Sequence, residues 1–273
     1  MTFQQKFDKI VKKNNSLLCI GLDPVWGKLP QHIREAKQPF FTFNKAIINA
    51  THDLVCCYKP NSAFYEALGQ KGIGELKKTC DYLQNTYPEI PIILDAKRGD
   101  IGSSNEGYVA YVFDYLGADA VTLHPYLGRE ALQPFLQRKE KGCIILCKTS
   151  NPGSGEFQDI VVQKQPLYKL LAKKIVREWN TNNNCLMVVG ATYPQELSEV
   201  RKIAKNMTFL VPGIGTQGGD IGQAVRAGLT NKNDGIIIAS TREIIYAASG
   251  KDFAQKARAK ALEMQTMINT FRV

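Results

Sequence analysis

The run over 92–104, IILDAKRGDIGSS, brings together the residues best suited to chemistry. It begins as an apolar stretch of the kind a buried parallel strand uses. It then turns charged at Asp95, Lys97, Arg98 and Asp100. Side chains two apart on a strand share a face, so Asp95 and Lys97 are expected to point the same way. Gly99 and Gly102 then permit a sharp turn. Carboxylates and a lysine crowded at the end of a buried strand suit proton transfer and electrostatic stabilisation of developing charge.

Other polar groups recur where apolar runs stop. Asp23 follows the first run, Lys59 sits near the end of the second, Ser150 follows the fifth, Gln217 the seventh and Arg242 the eighth. Around Gln217 lie Gly213, Gly215, Gly218, Gly219 and Asp220. Glycines there let backbone N–H groups approach an anion at a helix N-terminus, and Arg242 supplies a planar fork for phosphate oxygens. His32, His52 and His124 are too far apart in sequence for HxH or HExxH spacing, so no metal site is expected. His124 reads as structural.

The elements that must carry these groups follow from periodicity. Phe3, Phe7, Ile10 and Val11 mark an amphipathic first helix. Strands are expected over 16–24, 54–60, within the opening stretch 92–104, and over 120–125, 143–149, 186–192, 208–211 and 235–239. Helices are expected over 40–53, 63–87, 105–116, 129–139, 167–180, from 194, up to 228 and over 254–271. The helix over 63–87 is interrupted by glycines at 69, 72 and 74. A Gly/Ser/Pro-containing loop follows Ser150 and reaches towards Pro166, a length typical of active-site lids. Eight strand-like runs alternating with helices in 273 residues argue for an α/β (β/α)8 TIM barrel, one domain over 1–273. An open doubly wound sheet is the alternative, but Gly21 is followed by Leu22 and Asp23 rather than by a GxGxxG turn.

The formal charge of +10 suits an anionic ligand. Its lysines are scattered, with no long basic run and no zinc-finger spacing, so nucleic acid is not an expected partner. The seven cysteines form no CxxC pair and read as small core residues of a reducing compartment. Cys56 and Cys57, adjacent in a strand, are expected to face opposite sides. There is no secretory h-region at the start and no membrane-length apolar run. A cytoplasmic protein with no membrane partner is the expectation. From the residues alone, lysine chemistry remains open between electrostatic and proton-donor work and an imine-forming aldolase; a nucleic-acid binder is the non-enzymatic alternative.

The strings CIGLDP, YKPNSAFYE, LDAKRGDIGSS, KTSNPGSGEFQ, PGIGTQGGD and ASTRE together resemble the orotidine 5′-phosphate decarboxylase family, most of all its longer bacterial-type branch. The resemblance extends over about 18–245. It implies cofactor-free decarboxylation of orotidine 5′-monophosphate to UMP, the last step of pyrimidine nucleotide (UMP) biosynthesis. It implies that Lys59, Asp95 and Lys97 form a charged array. Asp100 would complete the array from the other subunit of a homodimer, with Ser104 reaching across to the ribose. Asp23 would bind ribose hydroxyls and Ser150 the pyrimidine. Gln217 and Arg242 would hold the phosphate above the loop of Gly213, Gly215 and Gly218. The Arg98-Gly99 bridge between Lys97 and Asp100 differs from the family's other branch.

Overall fold

Eight parallel strands alternate with helices along the chain, in a computed structural model that describes residues 1–214 and 218–272. The strands are β1 (Leu18–Gly21), β2 (Cys57–Lys59), β3 (Ile93–Arg98), β4 (Ala120–Leu123), β5 (Gly142–Lys148), β6 (Cys185–Val189), β7 (Phe209–Val211) and β8 (Ile236–Ser240). Hydrogen-bonded order runs β2-β1-β8-β7-β6-β5-β4-β3. The two ends of that order meet through isolated parallel bridges, Tyr58 with Ile92 and Asn61 with Asp95. The sheet therefore closes on itself as a barrel and leaves no free edge.

Burial on both faces explains why the strands read as continuous apolar runs: every residue of β1, β4, β6, β7 and β8 is buried. The first helix, Phe3–Asn14, starts with a reciprocal cap. Gln5 N–H donates to Thr2 Oγ1 at 3.3 Å and Thr2 N–H to Gln5 Oε1 at 3.0 Å. Its Phe3, Phe7, Ile10 and Val11 are buried, as the spacing predicts. Contacts of Phe3 N–H with Glu140 O, and of Lys6 with Asp119, set it against the segments where β4 and β5 begin, at the N-terminal end of the barrel.

Several expectations are corrected. The helix expected over 63–87 is two, Ser62–Glu66 and Gly69–Thr86, because Gly69 takes φ +57°, a left-handed conformation that breaks the first helix and lets the second start. The helix expected over 105–116 starts earlier, at Gly102, and widens into a π-helical turn over Ala110–Tyr115. The segment after β5 is folded rather than an open loop. It holds short helices at Pro152–Ser154 and Gly155–Gln158 and a two-residue antiparallel ladder between Val161–Val162 and Gln165–Pro166. Cys56 and Cys57 do not face apart. Cys56 precedes β2, so strand alternation has not begun, and the two sulfurs lie 3.8 Å apart.

The N-terminal end of the barrel is tied by one cation. Arg201 is buried and donates to the carbonyls of Gly228, Ala204, Met207 and Gly235, with its guanidinium 3.7 Å from the Phe209 ring centroid. No helix among the described residues is long and apolar enough to cross a membrane.

Candidate active site

The C-terminal ends of the strands surround a cavity of about 890 Å³, large enough for a nucleotide-sized ligand. Asp23, Lys59, Asp95, Lys97, Ser150, Gly213 and Arg242 all line it. They come from six different strand ends, which explains why their spacing along the chain is irregular although their positions in the barrel are equivalent.

Asp95 is the centre. Its Oδ2 accepts from Lys59 Nζ at 3.0 Å, and its Oδ1 accepts from Lys97 Nζ at 2.6 Å. Thr122 Oγ1 donates to Oδ1 at 2.9 Å and Asn61 Nδ2 to Oδ2 at 3.4 Å. Burial alone would raise the carboxyl pKa. The two ammonium groups overcome it and hold the group far below the usual carboxylate range. For Lys59 burial works the other way and would lower the pKa, but Asp95 and then Asp23 raise it above the ordinary lysine value. Both groups of the Lys59–Asp95 pair are thus charged at neutral pH.

The shared face of Asp95 and Lys97 does not arise from strand alternation. The register of β3 on β4 runs Ile93 with Ala120 and Leu94 with Val121, then jumps to Arg98 with Leu123. Four steps on β3 match two on β4, so two residues are extruded as a bulge. Lys97 there has φ +45°, which costs a non-glycine residue roughly 1–2 kcal/mol. The displaced N–H groups of Ala96 and Lys97 both donate to Thr122 Oγ1 at 3.0 Å.

Asp23 accepts from Asn61 N–H at 2.9 Å. Burial pushes its pKa up, partly offset by Lys59 and by that N–H. Tyr246 OH donates to Asp23 O at 3.0 Å and accepts from Val25 N–H at 2.8 Å, fastening the loop after β1 to the helix after β8. Arg242 opens that helix, Arg242–Ile245.

Below Ser150 the post-β5 segment is bolted by a fully buried lysine. Lys148 Nζ lies 2.7 and 2.8 Å from the two oxygens of Asp159 and 4.7 Å from the Tyr193 ring centroid. Gln158 clasps Thr149 twice, accepting from its N–H at 2.9 Å and donating to its Oγ1 at 2.8 Å.

Three of the expected site residues stand apart from this cavity. Asp100 is exposed, its Oδ1 accepting from Ile101 N–H at 2.7 Å, and Ser104 is exposed in the first turn of the helix Gly102–Val109. Gly218 is exposed, while Gly213 lines the cavity. Gly215 and Gln217 lie outside the described residues. The ends of that loop meet where Gly219 N–H donates to Gly213 O at 3.1 Å, an approach that a Cβ on Gly219 would block at 2.6 Å from the same oxygen. Asp220 then caps the helix Ile221–Gly228, accepting from Gln223 N–H at 2.6 Å.

Asn61, Thr122, Lys148 and Tyr246 were missed by sequence reasoning. A signal existed for two of them: Thr122 is the polar member of the apolar run AVTL, and Asn61 follows the strand-ending Pro60. Nothing local marks Tyr246, whose partners are remote, while Lys148 meets Asp159 eleven residues on, across a segment read as a loop.

Fold and site together define a barrel enzyme whose centre is a carboxylate held between two lysines, in a cavity that Gly213 and Arg242 also line. The chain belongs to the orotidine 5′-phosphate decarboxylase / HUMPS family, whose family model matches residues 16–257. It is 48% identical over 274 residues to orotidine 5′-phosphate decarboxylase from Cellvibrio japonicus (strain Ueda107), covering 100% of both chains. Its structure superposes on Leishmania donovani OMP decarboxylase with a TM-score of 0.87 and 36% identity, over 100% of this chain and 99% of that one. It also superposes on Leishmania donovani UMP synthase with a TM-score of 0.89 and 38% identity, over 100% of this chain but 57% of that longer one.

Proposed function

We infer that this chain decarboxylates orotidine 5′-monophosphate to UMP and CO2, completing UMP biosynthesis, with residues 1–273 acting as one catalytic unit in the cytoplasm. The observation that carries the reading is the Asp95 carboxylate fixed between Lys59 and Lys97 at the mouth of the cavity.

In the proposed reaction the bond from C6 of the pyrimidine to its carboxylate breaks, and the electron pair stays on C6. Lys97 stabilises that pair electrostatically and then donates the proton that replaces CO2. Lys59 fixes Asp95. Asp95 faces the substrate carboxylate, and two like charges about 4 Å apart repel by about 4 kcal/mol at an effective dielectric near 20. Enzymes lower barriers by about 8–23 kcal/mol, so repulsion supplies a minor share and preorganised positive charge the larger one. Asp23 takes the ribose hydroxyls and Ser150 the pyrimidine edge. Gln217, Arg242 and the loop of Gly213, Gly215 and Gly218 take the phosphate.

We further propose a homodimer in which Asp100 of one copy completes the array of the other and Ser104 reaches the other copy's ribose. Two features support this: both residues are exposed and outside their own chain's cavity, and the loops after β3 and β4 carry the exposed apolar side chains Ile101, Tyr126 and Leu127.

The test is ultraviolet absorbance of the purified chain mixed with orotidine 5′-monophosphate in EDTA. The expected result is a rapid conversion to UMP that Lys97→Ala nearly abolishes while UMP still binds. Activity of Lys97→Ala within tenfold of the unaltered chain sinks the proton-donor role. No conversion by the folded chain sinks the whole reading, and borohydride trapping with a sugar phosphate then tests imine chemistry.

A further inference from the structure

The two-residue bulge in β3 gives one side chain on the neighbouring strand control over the reacting pair. A hydroxyl has two lone pairs and one proton. Both lone-pair sites of Thr122 Oγ1 are taken, by Ala96 N–H and Lys97 N–H at 3.0 Å each. Its proton therefore goes to Asp95 Oδ1, 2.9 Å away, the same oxygen that Lys97 Nζ meets at 2.6 Å. Thr122 is 1% exposed in β4, at the wall of the cavity beside Asp95 and Lys97.

We propose that Thr122 is a positioning residue for the decarboxylation step. It holds the left-handed backbone of Lys97 and the rotation of the Asp95 carboxylate in one hydrogen-bonded unit, without itself touching the reacting atoms. The inference rests on the decarboxylase reading of this site.

The alternative is a threonine that only satisfies two buried backbone donors. That role would change stability and leave turnover per folded molecule alone. The positioning role predicts a different pattern, because a group that orients the array matters most where charge develops. Lys97 is held from two sides, by its backbone N–H on Thr122 and by its ammonium on Asp95. Removing the hydroxyl loosens both the strained backbone and the carboxylate, while the phosphate and ribose contacts lie elsewhere in the cavity.

The experiment compares the unaltered chain with Thr122→Val, which keeps the shape and removes the hydroxyl, and Thr122→Ser, which keeps the hydroxyl. Turnover of orotidine 5′-monophosphate is normalised to the folded fraction measured by urea denaturation, and UMP affinity is measured in parallel. The expected result is a kcat about ten- to a hundredfold lower for Thr122→Val. KM and the UMP dissociation constant stay within about threefold, and Thr122→Ser recovers kcat to within about threefold. Should Thr122→Val fold poorly, Thr122→Cys keeps similar bulk with a weak donor and is held to the same comparison. A normalised kcat within twofold of the unaltered chain overturns the proposal, as does a Thr122→Ser variant as impaired as Thr122→Val. An unaltered chain that does not convert the nucleotide overturns the decarboxylase reading and this inference with it.

Discussion

Replacing Asp95 with asparagine removes one charge and leaves the shape of the side chain intact. Lys59 then sits buried, 7% exposed, without the carboxylate oxygen 3.0 Å from its ammonium. At an effective dielectric near 20 that attraction is about 5.5 kcal/mol, and stripping one partner from a buried pair costs about 3–5 kcal/mol in practice. The Lys97 contact adds little to the loss, because that side chain is 51% exposed and its pair is screened by water. An upper limit follows from proton release. An ordinary lysine gives up its proton at pH 7 for about 4.6 kcal/mol, so the deficit cannot exceed that for long before Lys59 discharges.

The pH dependence has a definite sign. In the unaltered chain the Lys59 pKa is raised, so its contribution is complete below the ordinary lysine range and lost only as pH climbs through the folded value. In Asp95→Asn burial dominates and the pKa falls, so the deficit should shrink above neutrality by up to about 1.4 kcal/mol per pH unit. The assay is urea denaturation followed by tryptophan fluorescence at pH 7, 8 and 9. A loss below about 1 kcal/mol at pH 7, or a deficit unchanged at pH 9, refutes the argument that Asp95 keeps Lys59 charged in the core.

Arg242→Ala should lower kcat/KM chiefly for the phosphorylated nucleotide; equal damage towards the phosphate-free nucleoside would remove Arg242 from the phosphate grip. Mixing inactive Lys97→Ala with inactive Asp100→Ala should regain activity, because random exchange of subunits in the proposed C2 dimer restores about one intact site in four. No regain after confirmed subunit exchange would show that Asp100 does not act across an interface. Arg201→Met should cost about 2–4 kcal/mol of stability by stranding buried carbonyls, and leave kcat within twofold because it lies at the opposite end of the barrel; a kcat change larger than that after normalising for folded protein would contradict the assignment.

Much of this was legible along the chain because burial on both faces writes parallel strands as apolar runs, and barrel chemistry collects where those runs stop. Asp23, Lys59, Asp95, Ser150 and Arg242 were found that way. Lys97 was found for an incomplete reason. Strand alternation predicts its face, but a bulge, a left-handed φ and a threonine on β4 deliver it. Register between strands distant in sequence is not encoded locally, so the polar Thr122 in its apolar run gave no hint of its partners on β3. Tyr246 was illegible because Asp23 lies more than two hundred residues before it, and Lys148 because Asp159, eleven residues on, reaches it only through a folded excursion.

The closing seam of the barrel sets how such an enzyme wears out. β5 and β6 share five register pairs, whereas β2 and β3 are joined by two isolated bridges, and one of those bridges includes Asp95. Lys59 and Asp95 stand on opposite lips of that seam, so the ion pair proposed for the chemistry is also a rivet in a join made of two isolated bridges. A transient parting there would separate the carboxylate from its lysine without opening the other joins. Heat should therefore silence turnover before the helices melt, and the working life of the catalyst is set by the breathing of one seam rather than by collapse of the whole fold.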